Sequence, residues 1–338
     1  MEVKISELKN ILTQIATKYV PSEDAEYFAD EMTEAYIRKY PDPDVLRDMV
    51  VTDAKRQEEH VGNSVKIVKD LPSLMKVDFN RLPLTFKLKW IHDTLIEKAK
   101  ANGIAIFAFD NSGCIYALHT LTQGLAKRGY FAFASYNGGP LAVVPANGTK
   151  GLLGTNPISY AFPTKENNVV VDMATAEIPF YKLMDKKDSK QPLKPNVAVD
   201  SEGEMTTDPT RAYDETTSIS NLLPIGGSYK GYLINYLFEI LTGALIGSKM
   251  SDVQDISYVE EEHGGCIVAI DIAAFSPLET FKEDVSRLNE KISQQKPKKG
   301  ERIIVPGETN WNKFIQANEK GFVFVDEKTW KELTRLAE

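Results

Sequence analysis

Residues 84–101, then Asn102-Gly103, then Ile104-Ala105-Ile106-Phe107-Ala108-Phe109 are the stretch that decides the fold class. The first part carries apolar residues at helical spacing. Asn102-Gly103 reads as its stop, because these two residue types enter the left-handed region at little cost. The apolar run after it is too short for a helix and has the length of a buried strand. The same alternation continues outward in both directions. Ser22 followed by Glu23 and Asp24 predicts a capped helix to about residue 39, broken by Pro41 and Pro43. Strands are predicted at 130–135, after a helical stretch ending near Gly129, and at 168–171 and 266–270. A helix over 277–294, a strand at 322–325 and a helix over 328–336 follow. Interleaved helices and short strands predict α/β layers. Residues 185–195 and the lysine-rich 294–300 are expected as exposed loops. The longest apolar segment, 231–247, holds Asn235 and Glu239 and is shorter than the roughly 20 residues of a membrane span, so a buried core helix is expected there.

The chain has 338 residues, 40 Lys+Arg and 48 Asp+Glu, a net charge of −8. That length suits two domains or one large one. With 42% apolar and 26% charged residues it has the composition of a globular protein and not of a disordered one. A net acidic chain is a poor partner for nucleic acid, which is held by Lys and Arg. Two cysteines, Cys114 and Cys266, are too few for a disulfide framework and show no zinc spacing. Reduced core thiols, no metal site and a cytoplasmic location are the expectation. Residues 1–7 lack a basic segment followed by an apolar run, so no signal peptide is expected.

The familiar catalytic motifs are missing. There is no G-x-G-x-x-G fingerprint, no phosphate loop ending in G-K-[ST], no H-E-x-x-H and no G-x-S-x-G. Three glycine-rich clusters remain: Asn137-Gly138-Gly139-Pro140, the run from Gly148 to Pro157, and Gly226-Gly227-Ser228-Tyr229-Lys230-Gly231 directly before a helical pattern. Loops of this kind let backbone amides approach a phosphate, and a helix start adds favourable partial charge.

Taken in order with their flanks, these segments are more specific than any one alone. Gly154-Thr155-Asn156-Pro157-Ile158, Asp172-Met173-Ala174-Thr175, Leu223-Pro224-Ile225-Gly226-Gly227-Ser228-Tyr229-Lys230-Gly231-Tyr232 and Val305-Pro306-Gly307-Glu308 together resemble the malate/L-lactate dehydrogenase family of NAD(P)-dependent oxidoreductases. That family is unrelated to the Rossmann-type lactate and malate dehydrogenases, and it includes ureidoglycolate and sulfolactate dehydrogenases, diketogulonate reductase and cyclic imino acid reductases. The resemblance implies a family-specific, non-Rossmann mixed-sheet α/β fold and a homodimer. It implies a terminal domain of residues 1–118 plus 290–338 and a central cofactor-binding domain of residues 119–289. It also implies NADH or NADPH as cofactor, with contacts at Asp172, Met173, Ala174 and Thr175, at Tyr229, Lys230 and Gly231, and at Gly307 and Glu308. Thr155 and Asn156 would line the substrate, a small carboxylic acid.

Three departures bear on mechanism. The family's S-H-G-x-x-R segment aligns with Asp42-Pro43-Asp44-Val45-Leu46-Arg47, which keeps Arg47 as the substrate-carboxylate clamp but puts Pro43 where a histidine is usual. The S-N-H-F-G segment aligns with Ser112-Gly113-Cys114-Ile115-Tyr116, so Cys114 stands at the second histidine. A family lysine falls at Thr149, beside Lys150. Arg47, Cys114 and Lys150 are therefore the candidate catalytic residues, with Tyr116 and His119 also near in sequence. Three outcomes follow: another group supplies the proton, or the substrate is a cyclic 2-imino acid already protonated as the iminium, or catalysis is lost and the chain is a dinucleotide- or metabolite-binding dimer. The expected activity is hydride transfer to a small 2-oxo or cyclic 2-imino carboxylic acid.

Overall fold

The computed structural model describes residues 1–39, 46–138, 140–253 and 262–338. Pro41, Pro43 and Gly139, singled out in the sequence, lie outside the described residues. The decisive stretch forms as read: helix α4 (Leu88–Asn102) ends at Gly103, whose φ of 78° no β-carbon has to share, and β4 (Ile104–Ser112) follows.

Strand β4 is part of a mixed seven-stranded sheet. In chain order its strands are β2 (Lys66–Leu71), β3 (Leu74–Asp78), β4, β5 (Tyr130–Tyr136), β6 (Ile158–Phe162), β7 (Val169–Met173) and β10 (His263–Asp271). In space they run β2-β3-β4-β10-β5-β6-β7, and only β3 and β4 pair parallel. This is the mixed α/β sheet expected. It draws strands from both sides of residue 118.

The pleat sorts the helices onto two faces. Phe107, Ile267 and Ala134 are register partners, as are Ile106, Val268 and Phe133 one residue along, so the two rows point to opposite faces. Trp90 of α4 packs edge-on against Phe107 at 5.5 Å. Phe238 of α7 (Tyr229–Thr242) stacks on Phe133 at 5.7 Å. So α4 covers one face and α7 the other. Ser159 pairs with Ala134 and with Asp172, and its hydroxyl meets Thr122 Oγ1 of α5 (Thr120–Lys127) at 2.7 Å. That places α5 and Asp172 on the face of α4.

Both ends of the chain meet in a second small sheet, where β1 (Glu2–Lys4) pairs antiparallel with β11 (Phe322–Phe324). Helix α1 (Ile5–Ala16) packs on α10 (Glu327–Ala337), and α2 (Ser22–Lys39) packs on α9 (Glu308–Lys320). A second apolar cluster, including Val143, Leu183, Val197 and Leu222, lies wholly within residues 142–222.

Two expectations need correction. The 231–247 segment is not a core helix. Helix α7 buries Gly231, Asn235, Phe238, Glu239 and Thr242, whereas Leu233, Ile234, Tyr236 and Leu237 face outward. Mean apolarity could not reveal which stripe is buried, because the polar residues share one helical face. Residues 185–188 are not loop either; they complete α6 (Phe180–Asp188), whose Lys186 and Lys187 stand in the last turn, where cations suit the helix end. Residues 294–300 are exposed, as expected.

Phe107 is wholly buried on the central strand. Phe107→Ala is expected to lower unfolding stability by about 3–5 kcal/mol, read from a urea melt.

Candidate active site

Three sequence segments converge on one side chain, Thr175. Its amide donates to Thr155 O at 2.9 Å, and its carbonyl accepts from Ile225 N at 2.8 Å. Its hydroxyl lies 3.0 Å from both Thr155 O and Asn156 O and accepts from Asn235 Nδ2 at 2.8 Å. The G-T-N-P loop, the D-M-A-T segment and the turn before α7 are thereby fastened together. Asn235 also donates to Gly154 O at 3.0 Å. One turn further along α7, buried Glu239 accepts from Ser251 N at 2.6 Å, from Ser251 Oγ at 2.8 Å and from Asn156 Nδ2 at 2.8 Å. Because a carboxylate only accepts, it fixes which way the Asn156 amide points. Asn156 Oδ1 then finds no hydrogen-bond partner among the described residues. The backbone at Asn156 is left-handed, φ 36°, a conformation asparagine tolerates better than most residues.

The start of α7 lies exposed beside this knot. Gly226 and Gly227 both take positive φ, 73° and 54°. Ser228 caps the helix by accepting from Gly231 N at 3.3 Å. Gly231 packs against the turn so closely that a β-carbon would lie 1.8 Å from Ile225 O. Tyr229 and Lys230 project outward from the first turn. An exposed cation at the positive end of a 14-residue helix suits a phosphate group. Gly307 (φ 82°) brings the 305–308 turn against β7, where its β-carbon would lie 3.2 Å from Val170 N. Glu308 is occupied within that turn: it accepts from Val305 N at 3.1 Å and from Arg302 at 2.9 Å, and these partners hold its carboxyl below the usual range.

Asp172 is engaged through one carboxylate oxygen. Its Oδ2 lies 2.9 Å from His119 Nδ1 and 3.2 Å from Lys39 Nζ, and it also accepts from His119 N at 3.3 Å. Burial pushes its carboxyl up, but Lys39 and His119 outweigh that and hold it well below the ordinary range. Met173 is exposed and Ala174 half-buried beside it.

The candidate catalytic residues each have their own surroundings. Arg47 opens a π-helical turn, Arg47–Thr52, and its Nε pairs with Glu332 of α10 at 3.0 Å. Cys114 is buried, its sulfur 3.7 Å from Tyr136 Oη, and burial pushes the thiol up, away from the reactive thiolate. Lys150 lies on an exposed turn, next to Thr149, which packs against Gly203. Residue patterns did not single out Lys39, Asp53 or Ser251. Asp53 is buried, accepts from Thr85 at 2.6 Å, faces Arg56 at 3.3 Å and is pushed by burial up to about 7. No local signal marks these residues, because their partners are 32 or more positions away, except for Ser251, 12 from Glu239, and Arg56 beside Asp53.

Comparison with known proteins agrees with the geometry. The malate/L-lactate dehydrogenase family profile matches residues 3–334. A malate/(S)-sulfolactate dehydrogenase of Methanothermus fervidus is 28% identical over 324 residues, 94% of this chain and 92% of that one. A Δ1-pyrroline-2-carboxylate/Δ1-piperideine-2-carboxylate reductase of Pseudomonas putida is 34% identical over 160 residues, 47% of this chain and 45% of that one. The solved sulfolactate dehydrogenase of Methanocaldococcus jannaschii superposes with a TM-score of 0.81 at 27% identity, covering 99% of this chain and 96% of that one.

Glu239→Gln replaces an acceptor oxygen with a donor facing the Ser251 donors or Asn156. It is expected to cost about 1–3 kcal/mol, measured as a lower denaturation midpoint.

Proposed function

Because the chain belongs to the malate/L-lactate dehydrogenase family, we propose that it is a nicotinamide-dependent oxidoreductase of a small 2-oxo or cyclic 2-imino carboxylic acid. The observation that carries the reading is the convergence on Thr175 of three of the four segments that carry the family resemblance. The family match across residues 3–334 favours an enzyme over a catalytically silent binding dimer.

The residues present fit a dinucleotide. The exposed Lys230 and the N-terminus of α7 would hold phosphate oxygens, and the Met173-Ala174-Thr175 segment would flank the cofactor. When bound, the dinucleotide supplies or accepts the hydride. The chain's own work is to orient the acid. Thr155 and Asn156 line the substrate, the unmatched Asn156 Oδ1 offering an acceptor. Arg47 takes the substrate carboxylate by exchanging Glu332 for it. Charge-assisted pairs of this kind are strong and bidentate, which fixes orientation as well as affinity.

We place the enzyme in the cytoplasm on its two free, buried cysteines. Among the described residues no helix is long and apolar enough to cross a membrane. The outward apolar face of α7, with Leu237 59% exposed and Tyr236 47% exposed, suits a second copy of the chain.

The first test is fluorescence titration with NADH and with NADPH, followed by a panel of 2-oxo and cyclic 2-imino acids. Saturable binding of one nucleotide and turnover of at least one acid are expected; no binding of either ends the reading. Lys230→Ala is expected to weaken dinucleotide binding about tenfold. Arg47→Ala is expected to raise substrate KM without changing dinucleotide affinity, and Glu332→Gln to lower it. Leu237→Glu is expected to shift sedimentation from dimer to monomer.

A further inference from the structure

The reaction above lacks a proton carrier at the substrate oxygen. One family histidine position holds Pro43 and the other holds Cys114, a buried thiol that burial keeps protonated. A different imidazole is built for the task. His119 is 2% exposed, stands immediately before α5, and directs Nδ1 at the Asp172 carboxylate 2.9 Å away. Since that carboxylate only accepts, Nδ1 carries the hydrogen and Nε2 presents a bare lone pair. Nε2 is buried and has no hydrogen-bond partner among the described residues. His92, equally buried, shows the contrast: Tyr27 Oη lies 2.6 Å from its Nδ1, and Leu121 O lies 3.2 Å from its Nε2. A histidine that serves packing alone has both nitrogens met; His119 keeps one unmet, which opposes folding.

Its position matches that use. Asp172 pairs with Lys39, which ends α2 and donates to the carbonyl of Tyr116, two residues past Cys114 at the aligned position of the second family histidine. The charged groups facing the pair are Asp172 from β7 and, from the end of α2, Lys39 and Arg38. Lys39 is itself anchored by donating to Tyr116 O at 2.7 Å.

We propose that His119 is a catalytic residue of this enzyme, that Nε2 exchanges a proton with the oxygen on C2 of a 2-hydroxy or 2-oxo acid, and that Asp172 is its positioning residue. The assignment rests on the reductase reading. In the oxidative direction the C2–H bond breaks and its electron pair leaves as hydride to the oxidised dinucleotide. The O–H bond breaks with its proton passing to Nε2, and the C=O bond forms. Asp172 stays ionised opposite the resulting imidazolium. Reduction runs the step backwards and consumes one proton from solution per turnover. With such a group in place the chain has no need of a pre-protonated imine, so the substrate class is the 2-oxo/2-hydroxy acids.

Oxidation requires the neutral ring. Burial holds His119 below the ordinary histidine value of about 6.5, with Asp172 pulling the other way. The oxidative kcat/KM therefore falls on an acid limb below that value, as the imidazole takes up a proton.

The test uses His119→Asn, whose amide keeps a donor toward Asp172 but has nothing at Nε2. Wild type and variant are assayed with L-malate and L-lactate, each with NAD⁺ and NADP⁺, as a function of pH, alongside dinucleotide affinity by fluorescence. Expected are unchanged dinucleotide affinity, a loss of about 10²–10⁴-fold in kcat/KM, and no acid limb. The second readout is ¹⁵N-histidine NMR, tractable because the chain has only 4 histidines. A neutral Nδ1–H ring, absent from the variant's spectrum, is expected to move its Nε2 resonance when oxamate is added to the dinucleotide complex. A variant within threefold of an active wild type, with the same pH profile, overturns the assignment. So does an Nε2 resonance unmoved by saturating oxamate. A wild type that binds dinucleotide but turns over no acid of the wider panel overturns the reductase reading itself.

Discussion

Glu239 is wholly buried, and the three donors around its carboxylate, Ser251 N, Ser251 Oγ and Asn156 Nδ2, are what allow α7 to lie on the sheet by its polar side. An unpaired carboxylate in that position would be expelled or protonated, because removing a charge from water costs several kcal/mol even after relaxation. Pairing it with amide and hydroxyl donors offsets the cost and imposes direction. The donors come from two loops, so satisfying one carboxylate fixes the 154–157 loop and the 251 turn against the same helix. Asn235, one turn back, does the same for Gly154 and Thr175. The site is thus held by a polar knot below it, and the glycine turns above remain open to solvent.

This arrangement has a consequence for the opposite side of α7. With Asn235, Glu239 and Thr242 turned inward, Leu233, Ile234, Tyr236 and Leu237 have nowhere to go but out. The helix that carries Lys230 at its start therefore carries an apolar face along its length. A second copy covering that face would hold the helix from outside while Glu239 holds it from inside. Cofactor binding and self-association would then act through one element.

The fold was legible in the sequence wherever one residue's neighbours decide its conformation. The helix ending at Gly103, the strand after it and the 322–325 strand all rest on local signals: a left-handed stop and apolar runs of strand length. The site was legible as segments, because Gly226, Gly227, Asn156 and Gly307 are demanded by backbone conformation and so leave a mark on sequence. Pairings across the fold were not legible. Asp172 looked like a ligand acceptor, yet it meets His119 53 positions away and Lys39 from α2. Arg47 looked like a free clamp, yet Glu332 reaches it from 285 positions downstream. Side chains long enough to pair carry no local sign of their partner. For the same reason α7 was misread: a summed apolarity cannot say which stripe faces the sheet.

The Lys39–Asp172–His119 chain joins three elements, α2, β7 and the start of α5, and the order of its charges matters. Asp172 alone would gain a proton on burial and lose its hold on the ring. Lys39 prevents this by keeping the carboxyl ionised. An ionised Asp172 then selects the Nδ1–H tautomer, and that leaves Nε2 without its hydrogen. Lys39 thus acts twice on His119 with opposite signs. Directly, its charge disfavours an imidazolium; through Asp172, it preserves the anion that stabilises one. A ring balanced between those effects stays neutral at rest and still has a counter-charge when a proton arrives. That is the electrostatic requirement for a group that must both take and return a proton at the same oxygen. On the role proposed for His119, the Asp172 carboxylate meets that requirement through a ring 53 positions away in the chain.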